Sequence, residues 1–224
     1  MITGVIAPLS AECRTARALR RAGWRVVHSG VGLARAQAAA EALLAMGAQR
    51  LLVWGTAGGL VPDLRPGRVV LPELVRDAEG RSYVLDPGWR EELKGTVAPA
   101  LTVSNAAIVS VDSPVVTRAQ RHALAESSGA AAVDMETAAV ARIAQQHAVP
   151  CAAVRAIADP LELELPSVIL AARGDRLLPL EIPLRLLLRP SEVPAIRDLS
   201  RAFSAARSSL ESIAGDLARG IRQS

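Results

Sequence analysis

Along the first 160 residues, apolar runs of strand length alternate with alanine-rich stretches of helical spacing. Residues 2–7 and 24–28 read as strands. Residues 12–21 and 33–46 read as helices, the first ended by Gly23 and the second closed by Gly47. A third strand over 50–54 runs into Gly55, Thr56, Ala57, Gly58 and Gly59, which read as a glycine-rich turn. This order of strand, helix, strand, helix, strand predicts an α/β layered domain. In the middle, 68–75 and 81–85 flank a turn at 77–80 as a hairpin. A hairpin inside an alternating pattern predicts a mixed sheet. Residues 102–111 hold one or two more strands, 131–133 and 152–157 are short buried strands, and 117–127 and 137–146 are helical. From 160 to 194 the chain is rich in Leu, Pro and Arg without a clear period, and 195–221 reads as one terminal helix. With no internal repeat and no low-complexity linker, residues 1–224 are expected to form a single domain.

Composition narrows the classes. Half of the 224 residues are hydrophobic and 21% are charged, which excludes a disordered chain. Mean hydropathy is high at +0.26, yet no uninterrupted apolar run reaches the roughly 18 residues of a membrane span. Aromatics are only 2%, so the core is built from aliphatic side chains, and stacking on single-stranded nucleic acid is not indicated. The formal charge is +4, and Lys94 is the sole lysine among 26 basic residues. The arginines are scattered, which argues against a nucleic-acid patch. Cys13 and Cys151 make no metal spacing and suit a reducing cytosol. The first residues carry no positive charge ahead of their apolar stretch, so they read as a strand rather than a secretion signal.

Candidate chemistry gathers at strand ends. Ser29-Gly30-Val31-Gly32, the 55–59 run and Pro66-Gly67 are glycine-rich turns that let a backbone approach a ligand, or are simply tight turns. None is a phosphate loop or a full dinucleotide fingerprint. His28, His122 and His147 lack metal-ligand spacing. The carboxylates say more. Glu12 follows the first strand, Asp134 and Glu136 sit where a short strand meets a helix, and Asp159 ends the apolar run 151–158. An acid at a helix start also favours the helix dipole without further purpose. Ligands of α/β sheets lie beyond the carboxyl ends of strands, where these acids could converge.

The ordered set of pieces resembles the purine nucleoside phosphorylase and adenosylhomocysteine nucleosidase superfamily. The pieces are Glu12, the turns at 29–32 and 55–60, Leu64-Arg65-Pro66-Gly67-Arg68-Val69-Val70, Val133-Asp134-Met135-Glu136-Thr137-Ala138-Ala139, and Val154-Arg155-Ala156-Ile157-Ala158-Asp159. The resemblance implies a three-layer α/β/α fold with a central mixed β-sheet and an enzyme that breaks the N-glycosidic bond of a purine nucleoside. Asp159 is implied to protonate the base at N7, and Glu12 to activate water. Met135 and Glu136 together are implied to pack under the sugar and bind its 2′ and 3′ hydroxyls. Val133, Asp134, Thr56, Ala57 and Gly58 are expected around the substrate. Gly30, Gly32 and Thr56 are expected at a site for phosphate or water.

Other implications are finer. The tail, with Asp159-Pro160 and later Leu186-Leu187-Leu188-Arg189-Pro190-Ser191-Glu192, is similar to the hopanoid-associated branch, which is implied to release adenine from adenosylhopane. The leucines of 160–194, with Arg176, Arg185 and Arg189 between them, suit an apolar 5′ group or an anionic lipid surface, or else an ordinary core or subunit contact. Val53-Trp54 stands where phosphorylases of the superfamily often carry arginine, which tilts the expectation toward water as acceptor and leaves phosphate open. No aromatic follows Ser110-Val111-Asp112 to stack on adenine. No metal or organic cofactor is implied. A cytoplasmic homo-oligomer is expected, with peripheral contact at the inner membrane as the accompanying reading. Competing functions are a futalosine or methylthioadenosine/adenosylhomocysteine hydrolase and a non-catalytic nucleoside-binding module.

Overall fold

The computed structural model describes residues 1–97, 101–163 and 193–223. Its strands are β1 (Thr3–Ala7), β2 (Arg25–His28), β3 (Arg50–Gly59), β4 (Val69–Val70), β5 (Leu74–Arg76), β6 (Ser82–Val84), β7 (Val103–Ser104), β8 (Ile108–Ser110), β9 (Ala132–Asp134) and β10 (Cys151–Asp159). The helices are α1 (Ser10–Thr15), α2 (Arg17–Arg21), α3 (Leu33–Ala45), α4 (Pro87–Thr96), α5 (Arg118–Ser128), α6 (Thr137–Gln146) and α7 (Val193–Gln223). All ten strands join one mixed sheet, in the order β6-β5-β8-β9-β3-β10-β4-β7, with β1 beside β3 and β2 outside β1. The centre is parallel: β1 and β10 flank β3 and both run with it. β9 pairs antiparallel with the last two residues of β3, and β5 with β6 forms the expected hairpin.

Period-two alternation on the central strands builds two apolar layers. Ile6, Leu51, Val53, Ala153 and Ile157 face α3 and α6, meeting Ala36, Ala40, Leu43, Val140 and Ile143. Val5, Leu52, Trp54, Val154 and Ala156 face the other way, meeting Leu19, Trp89, Leu93, Leu210, Ile213 and Leu217 of α2, α4 and α7. Helices on both faces of a mixed sheet give the α/β fold that the sequence pattern predicts.

Four local expectations are corrected. The 55–59 run is not a turn but the second half of β3, because it stays in register with Arg155, Ala156 and Ile157 of β10. The helix expected over 12–21 is broken at Ala16 (φ −80°, ψ 8°) into α1 and α2. The strand expected over 68–75 is two strands on different parts of the sheet, β4 against β10 and β5 against β8. α4 has no counterpart among the expected elements. Asp86 accepts from the Trp89 amide (2.7 Å) as N-cap, and Pro87 stands at the first helical position, where its missing N–H costs nothing. Most of the apolar 160–194 stretch, residues 164–192, lies outside the described residues.

Candidate active site

β3, β9, β10 and the start of α1 deliver side chains to one cleft of about 190 Å³. Its lining includes Glu12, Thr56, Ala57, Gly58, Val133, Asp134, Met135, Glu136 and Asp159, so nine of the residues singled out in the sequence share one hollow. Gly30 and Gly32 do not line it, although Val31 between them does. Leu9, Val111, Pro114 and Val115 complete an aliphatic wall.

Glu12 lies in the first turn of α1 and is buried, 1% exposed. Its Oε1 accepts from the Thr56 amide (2.7 Å) and the Thr56 hydroxyl (2.8 Å), and its Oε2 accepts from the Leu9 amide (2.9 Å). Burial raises its carboxyl above the ordinary value, while Arg155 and these donors pull it down. Gly55 makes the approach feasible. A Cβ there would stand 2.6 Å from Glu12 Oε1 and 2.9 Å from Arg155 Nη1, so only glycine lets both side chains reach β3.

Arg155 is the buried hub beneath the cleft. It sits in a strand that is otherwise apolar to Ala158, on the α6 side by parity, and is 0% exposed. Its Nη2 meets Asp134 Oδ2 (2.6 Å) and Glu136 Oε2 (3.1 Å), and its Nη1 donates to the Thr56 carbonyl (3.3 Å). Asp134 also accepts from the hydroxyls of Ser110 and Thr137 and from the amides of Glu136 and Thr137 at the start of α6. Asp134 therefore caps α6 and anchors Arg155, so it supports the site rather than offering a free acceptor to a ligand. Glu136 accepts from the Gly32 amide at Oε1 (3.1 Å), which places the Gly30–Gly32 turn behind the carboxylate. Burial pushes the Glu136 carboxyl up to about 7, with Asp134 and Glu12 adding to the rise and Arg155 opposing it.

Asp159 reaches the cleft through a bulge. The β10 register shifts between Ile157 and Asp159, which brings Asp159 opposite Gly58. A Cβ on Gly58 would lie 3.1 Å from both carboxylate oxygens, so the acid packs directly on the β3 backbone. Arg121 of α5 binds Asp159 Oδ2 (2.7 Å). Burial raises the Asp159 carboxyl, and the Arg121 cation opposes the rise.

Two buried arginines thus carry the site's geometry, and neither had a role in the sequence reading. Arg155 was legible in principle, because an arginine inside a buried apolar strand needs an acidic partner. Arg121 gave no such signal, since it lies in a polar helix beside Arg118 and His122. Among the described residues, no group of three or more His, Cys, Asp or Glu is placed to hold a metal ion. Likewise no described helix is long and apolar enough to cross a membrane.

A mixed sheet clad by helices, with acids at the ends of its central strands, forms a ligand cleft beyond the carboxyl ends of those strands. Residues 21–168 match the family model described as the phosphorylase superfamily, and the chain belongs to that family. It is an enzyme of the nucleosidase or nucleoside phosphorylase type. Solved structures share the fold at low identity. The futalosine hydrolase of Helicobacter pylori superposes with a TM-score of 0.72 at 17% identity, covering 100% of this chain and 97% of that one. The 5′-methylthioadenosine/S-adenosylhomocysteine nucleosidase of the same organism, with butyl-thio-DADMe-Immucillin-A, gives 0.72 at 17%, covering 100% and 98%. The corresponding nucleosidase of Neisseria meningitidis, in complex with methylthio-immucillin-A, gives 0.72 at 19%, covering 98% and 99%. No curated protein matches the sequence.

Proposed function

We propose that this protein hydrolyses the N-glycosidic bond of a 5′-substituted purine nucleoside. Asp159 gives a proton to the base, most simply at N7, and the base departs as a neutral purine. Positive charge then grows on the ribose, beside the carboxylate of Glu136 and over Met135. Glu12, held by Thr56 and Leu9, takes the proton of the water that attacks C1′.

The acceptor is water because the donors a phosphate would use are already bound to carboxylates. The Thr56 amide and hydroxyl serve Glu12, and the Gly32 amide serves Glu136. Among the described residues no arginine lines the cleft, and Arg155 and Arg121 are both paired beneath it. A phosphate dianion entering there would meet acids without a free cation, whereas a neutral water is not repelled. This set of occupied donors is the observation that carries the reading.

The tail's likeness to the hopanoid-associated branch supports adenine as the base and a hopane chain as the 5′ group, and so adenosylhopane as the substrate. A homo-oligomer, with peripheral membrane contact through 160–194, accompanies that assignment. A smaller 5′ group is the second reading, favoured by the likeness in fold to the futalosine and methylthioadenosine enzymes.

One assay tests both points. The protein is incubated with adenosines bearing methylthio, homocysteinyl and long alkyl 5′ groups, with and without phosphate, and the sugar product is identified. Free adenine with a reducing ribose at unchanged rate in phosphate is the expected result. Ribose 1-phosphate would overturn hydrolysis, and preference for the methylthio compound would overturn the lipid assignment.

A further inference from the structure

Arg121 is the most deeply buried residue of α5, in a helix whose other ten residues are all at least partly exposed. Its guanidinium makes three contacts to one short segment. Nη2 binds Asp159 Oδ2 (2.7 Å), and Nη1 donates to the carbonyls of Asp159 (2.8 Å) and Pro160 (3.1 Å). Among the described residues, its Nε is buried without a partner. Nothing in α5 itself needs this arrangement, because the helix is already started by the reciprocal bonds of Thr117 and Gln120. A buried cation with an unmet donor costs stability, so the fold holds it against a penalty. Its partner is different, since the Asp159 side chain remains 22% exposed and lines the cleft.

We propose that Arg121 is a positioning residue for the reaction, fixing which oxygen of Asp159 carries the proton. This rests on Asp159 being the acid that protonates the base. A guanidinium fork on Oδ2 disfavours a proton there, so the proton resides on Oδ1 and leaves from it. As the Oδ1–H bond breaks and the base N–H bond forms, the C1′–N bond breaks and its electron pair passes to the departing purine. Asp159 becomes a carboxylate, and Arg121 is already in contact to stabilise that charge. The bonds to the two carbonyls keep the end of β10 from rotating during the transfer. The same contact ties the acid to the cleft wall, because Val111, Pro114 and Val115 run directly into α5.

The other ionisable groups around the acid are Glu12 on α1, Asp134 on β9 and Glu136 before α6, all anionic when charged. The second buried cation, Arg155, contacts Asp134 and Glu136. Among the described residues, Arg121 is therefore the cation in direct contact with Asp159.

The test uses full-length Arg121→Met and Arg121→Lys proteins, with melting curves to verify folding. The Asp159 carboxyl is titrated by carbon-13 NMR without substrate, and its signal is assigned with Asp159→Asn. Loss of the cation in Arg121→Met moves the midpoint upward, while Arg121→Lys stays nearer the parent. An unmoved midpoint in Arg121→Met overturns the proposal, and if that variant does not fold, a parent-like kcat in Arg121→Lys overturns it instead. With 5′-methylthioadenosine or adenosine as probe, kcat falls roughly 10- to 100-fold in both variants, since lysine cannot bridge three oxygens at once, and KM changes little. The alkaline limb of the rate profile moves up in Arg121→Met. A parent protein that cleaves neither probe nor any 5′-alkyl adenosine defeats the nucleosidase reading, yet the NMR titration still decides whether Arg121 governs Asp159.

Discussion

At the scale of single residues, three acids of one cleft receive three different environments. Glu12 is held by three donors, Glu136 by Arg155 and the Gly32 amide, and Asp159 by Arg121. Asp159→Asn keeps the shape but has no acidic proton, and Glu12→Gln cannot take one from water. Each loses about 100-fold or more in adenine release while the protein still folds. Near-parental turnover in either variant would remove that residue from the reaction. Glu136 makes a thermodynamic prediction. Its carboxyl is raised from 4.5 to about 7, so between those values the folded chain holds the proton more tightly than the unfolded chain. Its contribution to stability is present in full below pH 4.5 and is lost as pH rises through 7. Glutamine does not titrate. Melting temperatures measured from pH 4.5 to 8 should fall for the parent relative to Glu136→Gln, and a constant difference would mean that burial does not perturb this acid. Much of the cleft was legible in the sequence, because acids at the ends of apolar strands are costly to bury without purpose. The pairings of the two arginines were not, because their partners are distant in sequence, with Arg155 reaching Asp134 and Arg121 reaching Asp159.

At the scale of elements, β3 explains a misreading. Its glycines were read as a turn, but they lie in register with β10. Glycine at 55 and 58 does not bend this strand. It removes the side chains that would keep Glu12, Arg155 and Asp159 off the backbone. Gly55→Ala should therefore both destabilise the protein and reduce turnover, because neither the Glu12 carboxylate nor the Arg155 guanidinium can withdraw from a 2.6 to 2.9 Å contact without breaking its own bonds. A fully active, equally stable Gly55→Ala protein would show that Glu12 is not held there. The strands and helices with strong periodicity, β1, α3, α6 and α7, were readable from one segment at a time. The split of 68–75 into β4 and β5 was not, since partner strands decide it, β10 for one and β8 for the other.

At the scale of the whole molecule, the sheet separates stability from chemistry. The layer under α2, α4 and α7 is wholly apolar at its centre, with Trp54, Leu210 and Ile213 fully buried. The layer under α3 and α6 is also apolar along most of its length, but at the carboxyl end of β10 it yields to the Arg155 network. α7 closes the first layer over the strand that ends at Asp159, and Ser209 donates to the Gly67 carbonyl (2.7 Å) to fix its position. The mixed α/β fold follows from this plan, and the family from the match over residues 21–168.

The strict face alternation of β10 has a consequence for how this chain tolerates change in length. Odd and even positions of that strand are not equivalent, since one set meets α6 and the arginine hub while the other packs under α7. Losing one residue, such as Ala153, would drive a guanidinium into the Trp54 layer, whereas losing Ala152 and Ala153 together restores each surviving side chain to its own side. Soluble yield and cooperative melting should accordingly be worse for the one-residue deletion than for the two-residue deletion. For this strand, the parity of an insertion or deletion matters more than its size.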